Sequence, residues 1–228
     1  LLDAARDRAE KEIAEGRIFN TQATVDRLIA ERDDRATVVF RAALEAASAF
    51  DLRASSAISR ESSLFAVRQA DRFGEETVLK VKRAGLSAVL AAKEDVLESL
   101  STEIVDLEML LIDGFVDKKR IRELERSKAQ LLGEIADLEV SVKSTDLEIL
   151  QLNKRFKTAV VDELTVTLEQ LYDLEQQYTA IADRVERATI RSPAAGEVLD
   201  LKLNSIGGVV SSGQTLMEIV PDLDTLFV

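Results

Sequence analysis

The sequence predicts a mostly α-helical fold: a long antiparallel coiled-coil hairpin with an extra N-terminal helix and a small β module at the C-terminal end. Apolar residues recur every three or four positions along two long stretches, and a short Asp-Gly segment separates the stretches. Beyond them the pattern changes to short alternating runs between Gly and Pro. The chain has only 9 Gly and 2 Pro, and both Pro follow residue 192, so little interrupts the predicted helices.

Composition narrows the classes of function. The chain has neither Cys nor His, which excludes thiol nucleophiles, disulfides, the usual zinc sites and imidazole acid–base catalysis. Its net charge of −12 disfavours binding to nucleic-acid phosphate. The paired carboxylates lie on solvent-facing helix positions rather than in a recognisable pocket. We therefore predict a structural adaptor, not an enzyme, and expect no metal or cofactor.

The clearest helical signal runs from residue 120 to residue 187. Its apolar positions step by three or four, an average of about 3.5 that is the coiled-coil period. Lys128 and Thr145 occupy two positions of this seam. The predicted apolar seam consists of Ile121, Leu124, Leu131, Ile135, Leu138, Val142, Ile149, Leu152, Phe156, Val160, Leu164, Leu168, Leu171, Leu174, Tyr178, Ile181 and Val185.

A second stretch with the same period precedes the first and ends just before Asp113-Gly114. Two such helices joined by a few residues fold back on each other as an antiparallel hairpin. We place the turn at residues 113–116 and assign Asp117 as the N-cap of the returning helix. The predicted seam of the outgoing helix consists of Leu79, Leu86, Leu90, Leu97, Leu100, Ile104, Leu107 and Leu111.

The pattern is weaker upstream of this hairpin. Residues 3–33 predict a helix with Ile13, Ile18, Val25, Leu28 and Ile29 on one side. Residues 37–40 form a β-branched patch that fits either a strand or a loop, and the Ala- and Ser-rich residues 41–58 carry little signal. We expect the outgoing hairpin helix to start near Ser59.

The C-terminal β module consists of about four short strands, too few to close a sandwich alone. We therefore expect it to be half of a domain, with the other half before residue 1 and the hairpin inserted between the halves. The predicted division is 1–58 for the N-terminal helix and connection, 59–188 for the hairpin and 189–228 for the half domain. Its structural turns are assigned to Pro193, Gly196, Gly207, Gly208 and Gly213.

Several segments resemble a known family. Residues 190–198 and 207–221 are similar to the second half-motif of a biotinyl/lipoyl-like domain, beginning Ile-Arg-Ser-Pro and ending Met-Glu-Ile-Val-Pro. Together with the hairpin they resemble the HlyD-like membrane fusion proteins of Gram-negative type I secretion systems. The stretches 27–33, 64–68 and 114–126 resemble the protease- and lipase-exporter branch of that family.

The resemblance implies a periplasmic adaptor of type I protein secretion. Such an adaptor is anchored in the inner membrane, and we expect that anchor to lie outside this fragment. It links an inner-membrane ABC transporter to a TolC-like outer-membrane channel, and six copies form a sheath between them. The chain's partners are therefore expected to be the transporter, the channel and other copies of itself.

The resemblance also places the channel contact at the hairpin tip. The broader adaptor class has Arg, then Leu four residues later, then Ser or Thr seven residues after that. Here these positions are Asp106, Leu110 and Asp117, so only the Leu matches. Two readings stay open for the apolar turn residues: they dock into a partner groove, or they cap the hairpin's own seam. The expected contact residues are Leu110, Gly114, Phe115, Val116, Asp117 and Lys118.

Three alternatives fit the sequence less well than a secretion adaptor. The extra N-terminal helix is not explained if the chain is an adaptor of a drug-efflux pump. A biotin or lipoyl carrier domain with a coiled-coil arm needs a modified Lys202, which lacks the sequence context of an attachment site. A generic coiled coil does not explain the β module.

Overall fold

The computed structural model describes residues 4–113, 115–192, 194–202, 211 and 213–221. Four helices come first: α1 (Ala4–Arg32), α2 (Ala42–Ser48), α3 (Leu52–Ile112) and α4 (Lys118–Arg187). Strands β1 (Gly196–Leu199) and β2 (Glu218–Pro221) form an antiparallel pair, with Val198 opposite Ile219. The predicted fold class, a long helical hairpin with an N-terminal helix and a small C-terminal sheet, is confirmed. None of the described helices is long and apolar enough to cross a membrane.

The chain divides into two compact units. The first contains the residues up to Arg27, the segment Val39–Glu61 and the residues from Leu164 onward. The second contains Leu28–Val38 and Ser62–Glu163, and so includes the turn of the hairpin.

In the second unit, α3 and α4 pack along the predicted seam. The predicted α3 positions from Leu79 to Leu111 are all buried or half-buried, as are the α4 positions from Ile121 to Val160. Charged side chains beside the seam pair across it: Lys82 with Glu148 at 3.1 Å, Lys93 with Glu134, and Glu103 with Arg120 at 3.5 Å. Because the α4 number falls as the α3 number rises, these pairs define one antiparallel register.

The polar seam residue Thr145 is buried without disrupting α4. Its hydroxyl donates a hydrogen bond of 3.0 Å to the backbone carbonyl of Ser141, one turn earlier. This bond satisfies the hydroxyl inside the seam. The prediction that Thr145 lies in the seam is therefore confirmed.

One predicted seam position in the first unit is wrong. Leu168 is 45% exposed, whereas the neighbouring Thr167 is 8% exposed. The buried positions of α4 advance by four from Leu152 through Phe156 and Val160 to Leu164, and then by three to Thr167. Extra steps of four shift a heptad seam around the helix, which takes Leu168 out of it.

In the first unit, α1 packs antiparallel to the C-terminal part of α4. Arg184 pairs with Glu10 at 3.2 Å, Lys11 lies over the ring of Tyr178, and Gln22 reaches Glu175. Helix α1 thus supplies a second partner for α4. Of the predicted α1 face, Ile18, Val25 and Leu28 are buried, but Ile13 is exposed.

The Ala- and Ser-rich segment contains α2 and the first turns of α3, which begins at Leu52 rather than near Ser59. The side chain of Asp51 caps α3 by accepting the Arg53 backbone N–H at 2.7 Å. Hydrogen bonds from the Arg53 side chain and backbone lower the pKa of Asp51 to about 2. Ala54 and Ala57 are fully buried, because a methyl group allows close helix packing. Residues 37–40 form a loop.

A buried ion pair joins α1 to α3 in the first unit. Arg27 Nε donates to Glu61 Oε2 at 2.7 Å, and the two side chains are only 2% and 6% exposed. Asp26, the preceding residue, accepts both the backbone N–H and the guanidinium of Arg41 just before α2. A buried charge is stable only when an opposite charge compensates it, so removing either end of the Arg27–Glu61 pair should destabilise the fold.

A second charged cluster fixes the 28–38 segment within the second unit. Arg68 pairs with the buried Glu31 at 3.2 Å and lies over the ring of Phe156. Asp34 turns the chain with φ +51°, and hydrogen bonds from Lys157 and Arg72 lower the pKa of its carboxyl. The exporter-like stretch 27–33 thus contains two of the buried polar residues of α1, Arg27 and Glu31.

Replacing Glu61 by Gln should destabilise the chain by about 3 kcal/mol, because it leaves the Arg27 guanidinium buried without its carboxylate. Urea unfolding followed by circular dichroism measures this change. The double variant R27M/E61L should recover most of the loss, since it removes both charges. The control E10Q, at an exposed pair of the same unit, should cost under about 1 kcal/mol. Equal losses for E61Q and E10Q would contradict the role of the buried pair.

Candidate functional site: the hairpin tip

The turn lies between the end of α3 at Ile112 and the start of α4 at Lys118. The backbone N–H of Phe115 donates to the carbonyl of Leu110 at 3.0 Å. A hydrogen bond of this span closes the C-terminus of a helix and reverses the chain direction. The turn falls where the sequence predicts it, although Gly114 itself lies outside the described residues.

Asp117 starts the returning helix. Its Oδ1 accepts the backbone N–H of Lys119 at 3.1 Å, and its backbone carbonyl accepts the N–H of Arg120. These are the bonds of an N-cap, so this part of the prediction is confirmed. Asp117 is therefore occupied in holding the backbone of the tip.

The tip exposes apolar side chains above a closed core. Ile104 packs against Ile121 and Leu124 below the turn, and Leu111 covers this cluster. Phe115 is 79% exposed and does not cap the seam, whereas Val116 is half-buried. Of the two readings of the turn, the geometry favours an accessible Phe115.

Two further apolar residues of the tip were not predicted as contacts. Ile112 is 85% exposed, and Met109 is also exposed. Together with Leu110 they extend the apolar surface from Phe115 along the last turn of α3. Both residues lie off the predicted seam. An apolar residue off the seam and next to a turn is a sequence feature that could have identified them as exposed tip residues.

The charges at the tip divide into paired and unpaired groups. Arg120 pairs with Glu103 across the hairpin. Lys118, Lys119 and Asp106 are exposed, and none of the three has an ion-pair partner within the described part of the chain. Two exposed ammonium groups at a helix N-terminus are electrostatically unfavourable because they lie at the positive end of the helix dipole. Helix stability therefore does not explain these lysines, and a structural or binding role is needed to explain them.

The C-terminal module is described only in part. Gly196 is the first residue of β1, opposite Pro221, and Gly213 has φ +81°, a conformation that glycine adopts readily. The predicted turn residues Pro193, Gly207 and Gly208 lie outside the described residues. That the module is half of a lipoyl-like domain stays a prediction.

The helical part of the chain matches a known protein family. The family model described as AprE, long alpha-helical hairpin, matches residues 7–184, which contain all four helices apart from their outermost residues. The chain belongs to this family. The predicted resemblance to HlyD-like membrane fusion proteins of type I secretion is confirmed.

Curated relatives of this hairpin family carry names from secretion. The type I secretion system membrane fusion protein PrsE of Rhizobium meliloti is 30% identical over all of this chain and 55% of its own length. The chromosomal hemolysin secretion protein D of Escherichia coli is 28% identical over 71% of this chain and 36% of its own length. The chain therefore spans about half or less of these relatives.

A solved structure shares the fold. The soluble domain of LipC, a membrane fusion protein of a type I secretion system, aligns with a TM-score of 0.57 and 24% identity. The alignment covers 96% of this chain and 87% of the LipC chain. At this identity the match supports the architecture of the hairpin-family chain and not its partners.

Replacing Asp117 by Ala should destabilise the first turn of α4 by about 1 kcal/mol, because the N–H of Lys119 loses its acceptor. Amide hydrogen exchange should accelerate roughly fivefold in that turn. D117S should keep the cap and the slow exchange, and D113A should change little, since the described contacts give the Asp113 side chain no hydrogen bond. Unchanged exchange in D117A would refute the cap.

Proposed function

We propose that this chain is the adaptor that links an inner-membrane ABC transporter to a TolC-like outer-membrane channel in type I protein secretion. It acts in the periplasm as part of a protein anchored in the inner membrane. Its relatives are named for the secretion of proteins, including hemolysin, proteases and leukotoxin. These names favour a protein exporter over a drug-efflux pump.

The exposed Phe115 carries the proposal. The ring of Phe115 is 79% exposed and lies near the exposed Leu110 and Ile112 in the chain, so the turn of the hairpin carries an apolar patch. Exposed apolar patches of this kind mark contact surfaces. An aromatic anchor is also the side-chain type most often found at the energetic centre of an interface.

The chain's part in secretion is mechanical. The seam and its flanking ion pairs hold α3 and α4 in one register, and the capped turn presents the tip residues. Lys118 and Lys119 add cations beside the apolar patch, in place of the Arg that the broader adaptor class has at Asp106. ATP hydrolysis belongs to the transporter.

A carrier function is the alternative from another class. It requires covalent modification of Lys202, whose ammonium group lies 3.4 Å from the Asp200 carboxylate in the structure. An intact mass of the chain from exporting cells separates the two functions, because a biotin or lipoyl adduct would favour the carrier. An unmodified mass is expected for the adaptor.

A photoreactive amino acid at position 115 should capture the outer-membrane channel in an exporting cell. The same probe at Glu139, about 21 residues or 32 Å from the start of α4, should not capture it. Failure at position 115 in cells that still secrete would refute tip docking.

Replacing Phe115 by Ala should reduce channel binding and secretion by about tenfold, the loss expected for an aromatic anchor. Stability should change by less than about 0.5 kcal/mol, because the ring is exposed. Y172A, at an exposed aromatic residue of α4 outside the turn, is the matched control and should secrete normally. Equal secretion by F115A and the wild type would contradict the proposed contact.

A further inference from the structure

The apolar surface of the tip is not spread evenly around α3. Val105, Met109 and Ile112 follow one another at steps of four and three residues, which place them on one side of the helix. They are 53%, 56% and 85% exposed, although an apolar row with this spacing normally packs against another element. These three residues are called the apolar strip below.

The apolar strip is separate from the seam. At this level of α3 the seam consists of Ile104 with Leu107 and Leu111, in the cluster that includes Ile121 and Leu124 of α4. A helix turns by about 100° per residue, so the centre of the strip lies about 130° around α3 from the centre of the seam. The strip therefore faces away from the core of the hairpin.

The apolar strip is confined to the tip. On the same side of α3, the positions seven and eleven residues before Val105 are Glu98 and Glu94, and both are exposed. From Val105 to Ile112 the strip extends over about 10 Å of helix. A partner that ran alongside the whole hairpin would meet carboxylates beyond the strip. The strip therefore suits a partner that reaches this side of α3 only next to the turn.

Asp106 and Leu110, which occupy the Arg and Leu positions of the adaptor class, lie on a different side of α3. Leu110 follows Glu103 by seven residues, so it lies on the side of the Glu103–Arg120 ion pair. Asp106 lies one turn before Leu110. The centre of the apolar strip is roughly 110° around the helix from these two residues. Their side carries a carboxylate where the class has Arg, whereas the strip is wholly apolar.

Two cations of α4 lie on the same side of the hairpin as the apolar strip. Arg120 pairs across the hairpin on the other side, and Lys118 and Arg122 are each about 200° around α4 from Arg120. Both are exposed, and neither has an ion-pair partner among the residues that the structure describes. Glu108 and Glu125 also lie on this side, so it carries both signs of charge. Its distinguishing feature is therefore the apolar strip and not a net charge.

We propose that the apolar strip binds a helix of the outer-membrane channel, so that this chain docks by the strip side of α3 and not by the side of Asp106 and Leu110. Residues at i, i+4 and i+7 form the row of anchors by which one helix packs against another. The strip ends three residues before Phe115 and thus continues the contact proposed for the turn. The partner helix is expected to present an apolar row of its own. The inference rests on the proposed function for the identity of the partner.

Photoreactive amino acids compare the two sides of α3 in the full-length protein of an exporting cell. A probe at Met109 should capture the outer-membrane channel, identified by mass spectrometry, at least five times more than a probe at Asp106. Both positions are exposed and lie only three residues apart, which makes them a matched pair. Equal capture from the two positions, or greater capture from position 106, would overturn the proposal. Capture of a second copy of this chain from position 109, in place of the channel, would also overturn it.

Carboxylates placed in the strip test its apolar character. V105E/M109E should reduce capture of the channel by a probe at position 115 at least tenfold, because a helix packed on the strip would bury both charges. V96E is the matched control and should leave capture within twofold. Val96 is 56% exposed, as Met109 is, but lies nine residues or about 13 Å farther from the turn than Val105. All three positions are exposed, so circular dichroism should show unchanged helix content. Undiminished capture by V105E/M109E would refute the strip contact.

The probe at position 115 separates a failure of the strip contact from a failure of the proposed function. Capture of the channel from position 115 but not from position 109 would overturn the strip contact and leave the adaptor function standing. Absence of capture from both positions, in cells that still secrete, would count against the strip contact and the tip docking together.

Discussion

Ile104 of α3 packs against Ile121 and Leu124 of α4 immediately below the turn, and this contact commits the rest of the hairpin to one register. Sliding one helix by a single residue would remove these side chains from the seam and separate the ion pairs that flank it. Heptad packing alone permits several alignments. The flanking charges, from Glu103 with Arg120 to Lys82 with Glu148, select among them.

Once the register is set, the side chains of the hairpin divide into those that pack inside it and those that stay exposed. The seam is satisfied internally, and the 28–38 segment is held by Arg68 and Arg72. The tip keeps Phe115 and Ile112 exposed. A contiguous exposed apolar patch is a feature of contact surfaces. The same structure therefore separates residues that hold the fold from residues left for partners.

The sequence predicts correctly the features that depend on the local period of apolar residues and on helix capping. The seam from Leu79 to Val160 and the Asp117 cap follow from spacing and side-chain chemistry. The start of α3 was missed because Asp51 lies within an Ala- and Ser-rich run without apolar period, where tertiary packing of Ala54 and Ala57 decides the structure. Leu168 was wrongly assigned to the seam because the spacing of apolar residues does not show where the seam shifts. Only the buried residues of the structure show that position. At the tip, the family resemblance implied a contact at Phe115, but Ile112 and Met109 became visible only once exposure was known.

The central claim is that the seam is internal while the tip is left for a partner. Labelling of single Cys variants by a thiol reagent, in the isolated chain and in membranes holding the assembled exporter, tests this claim most directly. A Cys at Leu97 in the seam should be protected in both states. A Cys at Phe115 should label rapidly in the isolated chain and slowly in the assembled exporter. Rapid labelling of the tip in both states would contradict the account.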